Sequence, residues 1–269
     1  MVKVAMIGYG GIAQSHKSAH LKFEAEGREK LVAVCDIDPE QVKRRIKINL
    51  EDAAEVAGGD FNVYVDCDEM LRNEDIDLVD ICLPSFLHAD TAIKMLGRGY
   101  HVLSEKPMAL CSADCERMLA AWDKVKADGK YLMIGQCLHF YPEYEYLKAC
   151  VDDGRFGKVT SAVFQRLSGI PRWSWQNWYW DYEKAGGVIT DMQIHDIDMA
   201  RWLFGEPEWA ECRASSKYTK FDCSHVTLGY DFPVTCLGDW TLRGVKFNMS
   251  YRVGFEKASV ILDGGKLTV

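Results

Sequence analysis

The stretch VKVAMIGYGGIAQSH, from Val2 to His16, decides the fold of the first half of this chain. Its apolar beginning predicts a strand buried on both faces, and its glycines predict a tight turn into a helix. Gly8 permits the turn, Gly10 has no Cβ to obstruct a pyrophosphate, and Ala13 is small enough for close packing of helix on strand. The unpaired N–H groups of the first helical turn would face the phosphates.

Glycines after a strand are also typical of an ordinary turn, so the dinucleotide interpretation needs a second signal. The apolar run LVAVCD, from Leu31 to Asp36, supplies it by ending in an acid. Asp36 follows Ala13 at close to the roughly 20 residues expected for an acid that binds a ribose hydroxyl. The two runs together predict one βαβ unit that binds a nucleotide.

Length and composition narrow the class of protein. The chain has 269 residues, 48% of them hydrophobic, and a formal net charge of −8. The length favours two domains, and the acidic balance argues against nucleic acid as a partner. No segment approaches the roughly 18 uninterrupted apolar residues of a membrane helix, and the first residues predict a core strand rather than a signal peptide. Ten scattered cysteines without a C-x-x-C pair indicate free thiols in the cytoplasm.

Strands and helices alternate through the first half. A segment opened by Pro39 is predicted as a helix that runs to about Val56, and a short apolar run follows at 63–65. Further strands are predicted at 76–83, 100–104 and 130–135, with helices over 88–98 and 112–128. This alternation predicts an α/β domain over residues 1–136, a doubly wound parallel Rossmann sheet that binds ligands at the carboxyl ends of its strands.

The second half, residues 137–269, has a different pattern. A helix is predicted from Tyr141 to Gly154, and a strand from Lys158 to Leu167. Alternating segments then recur at 208–216, 224–231, 234–242, 245–253 and 257–263. They predict an α+β domain with a mostly antiparallel sheet that has one covered and one open face.

Two polar motifs follow strands of the first domain. PSFLH occupies 84–88, and EKP occupies 105–107. An ordinary interpretation makes Lys106 a solvated loop lysine paired with Glu105, and makes His88 a surface residue. The alternative places both motifs at the ligand-binding edge of the sheet.

The motifs GYGGIA at 8–13, PSFLH at 84–88, EKP at 105–107 and GGVITDMQIHDID at 186–198 resemble the Gfo/Idh/MocA family of oxidoreductases. The resemblance extends over the whole chain and keeps the order and spacing of the motifs. It implies a Rossmann domain, a C-terminal domain with an open, mostly antiparallel sheet, and hydride transfer between NAD(P) and a secondary alcohol of a sugar or cyclic polyol.

The segment from Gly187 to Phe204 is predicted as one helix. At 100° per residue, Asp191, His195 and Asp198 lie within about 60° of each other on one face. The stripe is typical either of a helix face in water or of a helix that lines an internal cleft. The resemblance implies that Asp191 and His195 are catalytic, together with Lys106, whereas Asp198 has a structural role.

The resemblance also implies the binding residues. Those for the cofactor are Gly8, Tyr9, Gly10, Gly11, Ile12, Asp36, Ile37, Leu83, Pro84, His88, Glu105 and Lys106. The tryptophan-rich segment 171–182 is expected either to pack beneath a loop or to approach the substrate, since indole rings suit the faces and hydroxyls of a sugar. The substrate-binding residues expected on this basis are Arg172, Trp173, Trp178 and His139.

Asp36, followed by Ile37, favours NAD over NADP, because a carboxylate repels a 2′-phosphate. Lys43 and Arg44 keep NADP open as an alternative. The seven histidines are dispersed and no HExxH occurs, so no metal is expected.

The expected partners are a small-molecule sugar or polyol and further copies of the chain, bound through the C-terminal sheet. Two alternative functions stay open. One is a non-catalytic nucleotide-sensing protein, and the other is an NAD-dependent glycoside hydrolase without net cofactor turnover.

Overall fold

The structure is a computed structural model that describes residues 1–46, 48 and 58–269. The chain forms two compact units. The first unit consists of Met1–Gly135, Arg172–Trp178 and Glu183–Ala185, and the second consists of Gln136–Pro171, Tyr179–Tyr182 and Gly186–Val269. Part of the tryptophan-rich segment, Arg172–Trp178, and the short piece Glu183–Ala185 therefore belong to the first unit, although they lie far along the chain in the second half.

A six-stranded parallel sheet forms the centre of the first unit. Its strand order is β3-β2-β1-β4-β5-β6, the order of a dinucleotide-binding Rossmann fold. The strands are β1 (Val2–Ile7), β2 (Glu29–Cys35), β3 (Asn62–Tyr64), β4 (Leu78–Ile81), β5 (His101–Ser104) and β6 (Leu132–Ile134). The helices are α1 (Gly11–Ala25), α2 (Cys67–Asn73), α3 (His88–Gly97) and α4 (Ser112–Asp123).

The apolar runs of the sequence form the core of this sheet. The side chains of Val4, Ala5 and Met6 in β1 are fully buried, as are Ala33 and Val34 in β2. Strands covered on both faces need such runs, and this explains why their sequence is nearly continuous in apolar residues.

The helix predicted from Pro39 is only partly described. Pro39–Lys43 forms a 3₁₀ helix, and the Asp38 side chain accepts a hydrogen bond from the backbone N–H of Glu40 at its start. Residue 47 and residues 49–56 of that prediction lie outside the described residues.

A seven-stranded sheet forms the second unit, in the order β13-β12-β11-β7-β10-β9-β8. Only the β7–β10 pair is parallel among its described pairs. The strands are β7 (Val159–Leu167), β8 (Ala210–Ser215), β9 (Cys223–Gly229), β10 (Pro233–Asp239), β11 (Asn248–Phe255), β12 (Ser259–Asp263) and β13 (Lys266–Thr268). The predicted fold class, a parallel Rossmann sheet followed by a mostly antiparallel one, is confirmed.

Helices cover one face of the second sheet. These are α5 (Pro142–Asp153), a π-helical turn (Ile189–Gln193) and α7 (Ile194–Phe204), whereas most of the short α6 (Tyr182–Ala185) belongs to the first unit. Tyr144, Leu147 and Met199 from the helices join Phe164 and Tyr251 from the sheet in one buried cluster. Within the described part of the chain, no helix has the length and apolar character needed to cross a membrane.

Candidate active site

The turn after β1 requires a glycine at residue 8. Gly8 has φ +88°, a region that favours glycine, and a Cβ there would lie 2.8 Å from the carbonyl oxygen of Cys82. The N–H of Gly8 donates to the carbonyl of Cys35 at 2.8 Å. The neighbouring ends of β2 and β4 therefore set this tight turn, as the sequence motif predicts.

Gly10 serves a different purpose. It precedes the first residue of α1 with φ −78° and ψ −167°, a backbone conformation that any residue adopts. A Cβ at Gly10 would have no described atom within 4 Å, whereas one at Gly11 would lie 3.0 Å from the Trp173 ring. The space beside Gly10 and the N–H groups of the first turn of α1, which have no partner within the helix, fit the pyrophosphate of a dinucleotide.

The acid at the end of the second strand lies against this turn. The Asp36 carboxylate accepts a hydrogen bond from the backbone N–H of Tyr9 at 2.7 Å and another from that of Asp38 at 2.9 Å. The spacing read from the sequence therefore brings a carboxylate beside the glycines, where a ribose of the fold's usual ligand binds. The neighbouring Ile37 side chain is 70% exposed.

A buried histidine, His88, connects the two loops that follow β4 and β5 at the ligand-binding edge of the sheet. The Nδ1 atom of His88 lies 2.8 Å from the carbonyl oxygen of Pro107, and its Nε2 atom lies 2.8 Å from that of Leu83. Burial lowers the pKa of His88, and the bonds to the two carbonyl oxygens oppose this effect. His88 thus joins the loop after β4, which carries Leu83 and Pro84, to the EKP loop after β5.

Glu105 is a buried anchor rather than a solvated partner of its neighbour. One carboxylate oxygen accepts from the backbone N–H of Lys106 at 3.0 Å, and the other lies 2.9 Å from Nε2 of His16. Burial opposes the charge of Glu105, but His16 outweighs it and lowers the pKa of the carboxyl. This carboxylate therefore holds the backbone of Lys106.

The other two residues predicted to be catalytic belong to the second unit. Asp191 lies in the π-helical turn, and His195 lies in the first turn of α7. The periodicity predicts a regular helix over the whole segment, but Ile189–Gln193 has the wider i→i+5 geometry. The difference changes the angle between Asp191 and His195 from the α-helical value. Such π turns inside helices are frequent at functional sites.

Asp198 and His139 are partners of each other. The Nε2 atom of His139 lies 2.7 Å from the Asp198 carboxylate, and its ring stacks on Trp202 with a centroid distance of 4.4 Å. These contacts give both residues a place in the packing of the second unit, and the substrate role of His139 stays a prediction.

The tryptophan-rich segment is divided between the two units. Arg172, Trp173 and Trp178 belong to the first unit, where Trp173 lies beside Gly11. In the second unit, Trp180 donates to the carbonyl of Pro171 at 2.9 Å. Trp173 is thus placed at the nucleotide motif, and its predicted contact with substrate stays a prediction.

Sequence reasoning missed two groups of buried charges. Arg166 of β7 and Asp196 of α7 form an ion pair of 3.2 Å, and both side chains are almost fully buried. In the first unit, His16 and His20 from α1 surround Asp80 of β4. The signals for the second group were present in the sequence, since Asp80 interrupts an apolar strand and the two histidines stand four residues apart on one helix.

One cluster of possible metal ligands occurs among the described residues. Atoms of His16, Asp80 and Cys82 lie within 4.8 Å of one another. Both ring nitrogens of His16 already lie within hydrogen-bond distance of carboxylates, those of Asp80 and Glu105. A metal ion would have to displace one of these bonds.

Comparison with known proteins decides the family. Residues 2–135 match the sequence model described as "Oxidoreductase family, NAD-binding Rossmann fold", and residues 144–261 match the "GFO/IDH/MocA C-terminal domain". The chain belongs to the Gfo/Idh/MocA oxidoreductase family. The resemblance expected from its motifs is confirmed.

Relatives of this Gfo/Idh/MocA protein include an inositol 2-dehydrogenase of Rhizobium meliloti (strain 1021). It is 33% identical over 208 residues, which are 76% of this chain and 56% of the relative. A 2,7-anhydro-N-acetylneuraminate hydratase of Mediterraneibacter gnavus is 28% identical over 199 residues, 74% of this chain and 50% of the relative. The chain thus spans about half the length of these curated relatives.

The same fold occurs in solved structures. The WlbA dehydrogenase from Bordetella pertussis, in complex with NADH and UDP-GlcNAcA, has a TM-score of 0.83 and 23% sequence identity. The match covers 100% of this chain and 76% of that chain. At this identity the likeness shows the fold alone.

Proposed function

We propose that this Gfo/Idh/MocA protein is an NAD-dependent dehydrogenase that oxidises a secondary alcohol of a sugar or cyclic polyol. The observation that carries the proposal is the Asp36 carboxylate beside the glycine turn, 2.7 Å from the N–H of Tyr9. The match to an inositol 2-dehydrogenase over 76% of this chain supports the class of substrate. We assign nucleotide binding to residues 1–136, and substrate binding and oligomerisation to residues 137–269.

The charges around Asp36 favour NAD over NADP. A 2′-phosphate would meet the carboxylates of Asp36 and Asp38 at the end of the second strand. The nearby cations are already paired with acids, Arg44 with Asp38 and Lys43 with Glu40, both at 2.7 Å. An additional phosphate would be repelled by these acids, so discrimination comes from unfavourable charge as well as from the ribose hydrogen bonds.

When bound, the nicotinamide accepts the hydride, and a side chain of the protein takes up the proton of the alcohol. We assign to His195 the role of the base that takes this proton, and to Asp191 that of orienting the imidazole. Lys106 hydrogen-bonds the same oxygen and stabilises its developing negative charge. The buried carboxylate of Glu105 supports this assignment by fixing the lysine backbone.

The test is a panel of inositols and sugars assayed with NAD and with NADP by the absorbance of the reduced nicotinamide. A dehydrogenase reduces NAD stoichiometrically with formation of a ketone. The control is the Lys106→Met variant, which keeps the length of the side chain and loses its charge. If no polyol or sugar reduces either coenzyme, the proposal is wrong.

A second candidate follows from the relative that is a hydratase. Because this hydratase is 28% identical to the chain, lyase or hydrolase chemistry on the same fold is the second candidate. Such an enzyme would convert a sugar derivative without accumulating NADH. Monitoring product by NMR beside nicotinamide absorbance separates it from a dehydrogenase. If Lys106→Met and His195→Ala both keep full turnover, the catalytic roles assigned to these two residues are wrong. If the unmodified protein binds NAD but converts no substrate, the nucleotide-sensing alternative is favoured.

We also propose that the chain forms homo-oligomers through the open face of the second sheet. One row across this face consists of Ile261, Arg252, Val163, Thr235 and Thr227, paired in register from strand to strand. Val163 and Ile261 are half-buried and provide apolar contacts. Light scattering tests this, because Val163→Asp should shift the mass toward a monomer.

The ten cysteines support a cytoplasmic location, which cell fractionation would test.

A further inference from the structure

Five ionisable side chains form one continuous chain through the first unit, which we call the charge ladder. His16 lies between Glu105 and Asp80, and its ring nitrogens are 2.9 and 2.8 Å from the two carboxylates. His20 lies between Asp80 and Glu29, at 3.0 and 2.5 Å. The order is therefore Glu105, His16, Asp80, His20, Glu29, with acid and base alternating.

The ladder is buried for most of its length. The Asp80 side chain has no exposed surface, and the side chains of His20 and Glu105 are 8% and 13% exposed. An ionised carboxylate only accepts hydrogen bonds, and a neutral imidazole has a single N–H. A histidine that faces a carboxylate from each ring nitrogen therefore satisfies both bonds only as an imidazolium. The geometry thus indicates two buried positive charges between three negative ones.

The surrounding charges agree with this assignment. Burial disfavours the imidazolium of His16, but its interactions with Cys82 and Asp80 raise its pKa well above 6.5. The pKa of His20 is also raised, against the effect of burial, by Asp80 and Glu29. For Asp80, the two histidines outweigh burial and lower the pKa to about 2. Burial raises the pKa of the neighbouring Cys82 to about 12.

The ladder joins elements that matter for the proposed reaction. His16 and His20 lie on α1, whose first turn faces the pyrophosphate site, and Asp80 lies within β4. Glu105 follows β5, and its second oxygen accepts the backbone N–H of Lys106 at 3.0 Å. Other charged or titratable groups near this end are Cys82, His88 and Lys106 itself.

We propose that His16 is a positioning residue for Lys106. The His16 imidazolium clamps Glu105 to Asp80, Glu105 holds the backbone N–H of Lys106, and His20 holds Asp80 in turn. Buried ion pairs contribute little net stability, because desolvation offsets their attraction, but they fix geometry. The role in catalysis rests on the proposed function of Lys106, whereas the charge state and the hold on the Lys106 backbone do not.

The first test measures the protonation state of the His16 and His20 rings and does not depend on enzyme activity. Nitrogen-15 NMR of the histidine rings at pH 7 should show both nitrogens of His16 and His20 protonated. Neutral rings would overturn the proposal. Binding of added Zn²⁺ with loss of the imidazolium signals would overturn it in favour of a metal site made by His16, Asp80 and Cys82.

The second test measures the hold on Lys106 by hydrogen exchange of its backbone amide. In His16→Gln, which has a single amide group to donate, exchange should accelerate about 10-fold or more, because loss of the clamp lowers the local opening free energy by about 1.4 kcal/mol or more. The matched control is Lys22→Gln, which removes an exposed positive charge from the same helix. Unchanged exchange in folded His16→Gln would overturn the proposal. If that variant does not fold, Glu105→Gln should show the same acceleration.

The third test is kinetic. His16→Gln should lower kcat about 10²-fold, the cost typical of a catalytic group displaced by about 1 Å, with little change in NAD affinity. A double variant His16→Gln/Lys106→Met should lose little more than Lys106→Met alone. If Lys106→Met keeps full turnover, the proposed function fails, whereas the NMR and exchange results decide the positioning role separately.

Discussion

The carboxylate of Asp36 lies 2.7 Å from the backbone nitrogen of Tyr9, at the centre of the glycine turn. A second bond, from the N–H of Asp38 at 2.9 Å, holds the other oxygen. The acid is thereby oriented by two backbone groups from different parts of the chain. An acid at this position of the fold binds the ribose of a dinucleotide, so this relationship connects the sequence spacing to the choice of coenzyme.

Replacement of Asp36 by asparagine should weaken NAD binding and reduce the preference over NADP. The loss should be about 1.5–3 kcal/mol, since the hydrogen bonds to ribose come from a charged acceptor. Affinities for both coenzymes, measured by calorimetry, check this. Arg44→Gln is the control, because it removes a cation from the same surface. Tighter binding of NADP than NAD by the unmodified protein would contradict the prediction.

Gly10→Val should abolish NAD binding while the protein stays folded. The added side chain has room in the protein, since a Cβ there meets no described atom within 4 Å, but it fills the space for the phosphates. Gly8→Ala is the contrasting variant. Its φ of +88° and its Cβ contact of 2.8 Å to a backbone oxygen should reduce the free energy of unfolding by about 1–3 kcal/mol. If folded Gly10→Val binds NAD as tightly as the unmodified protein does, this would falsify the assignment of the glycine motif to dinucleotide binding.

Lys106→Ala and His195→Ala should each keep NAD binding and lose turnover by about 10²–10⁴-fold, the usual contribution of general acid–base catalysis. Because the proposed function has both groups act on one proton and one oxygen, the double variant should lose much less than the product of the single losses. Steady-state rates and coenzyme titrations of the three variants provide the measurement. Multiplicative losses would show that the two residues act independently.

Breaking the buried Arg166–Asp196 pair should be costly for folding. Asp196→Leu leaves the guanidinium without its carboxylate partner, and it should lower the free energy of unfolding by about 3–5 kcal/mol. Adding Arg166→Met should restore much of the loss. The control is Arg201→Met, which breaks the exposed pair with Glu206 at 2.5 Å and should cost less than about 1 kcal/mol. Urea unfolding of these variants beside the unmodified protein gives the values.

The charge ladder should make folding stability depend on pH in two directions. The pKa values of His16 and His20 are raised, so their contribution is complete below about pH 6.5 and is lost as pH rises through the folded-state values. The pKa of Asp80 is lowered to about 2, so its contribution is present above about pH 4 and is lost as pH falls toward 2. In His20→Gln, urea unfolding should show a shallower loss on the alkaline side. A curve that matches the unmodified protein would contradict this.

Much of the fold follows from local signals. The apolar run into Gly8, the spacing to Asp36 and the alternation of strands and helices predict the Rossmann sheet, because these features depend on backbone freedom and side-chain period within short stretches. The antiparallel second sheet follows from its alternating segments in the same way. The glycine turn, the acid beside it and the alternation of strands and helices around them are therefore encoded locally.

The sequence by itself thus determined the two sheets, the glycine turn and the acid beside it. Only the tertiary structure decided which distant side chains meet. It brings His16, Asp80 and Glu105 together from a helix and two strand ends, pairs Arg166 with Asp196, and places Trp173 beside Gly11. It also introduces the π turn that carries Asp191. Such contacts depend on the packing of elements that are far apart in the chain, and no local periodicity encodes them.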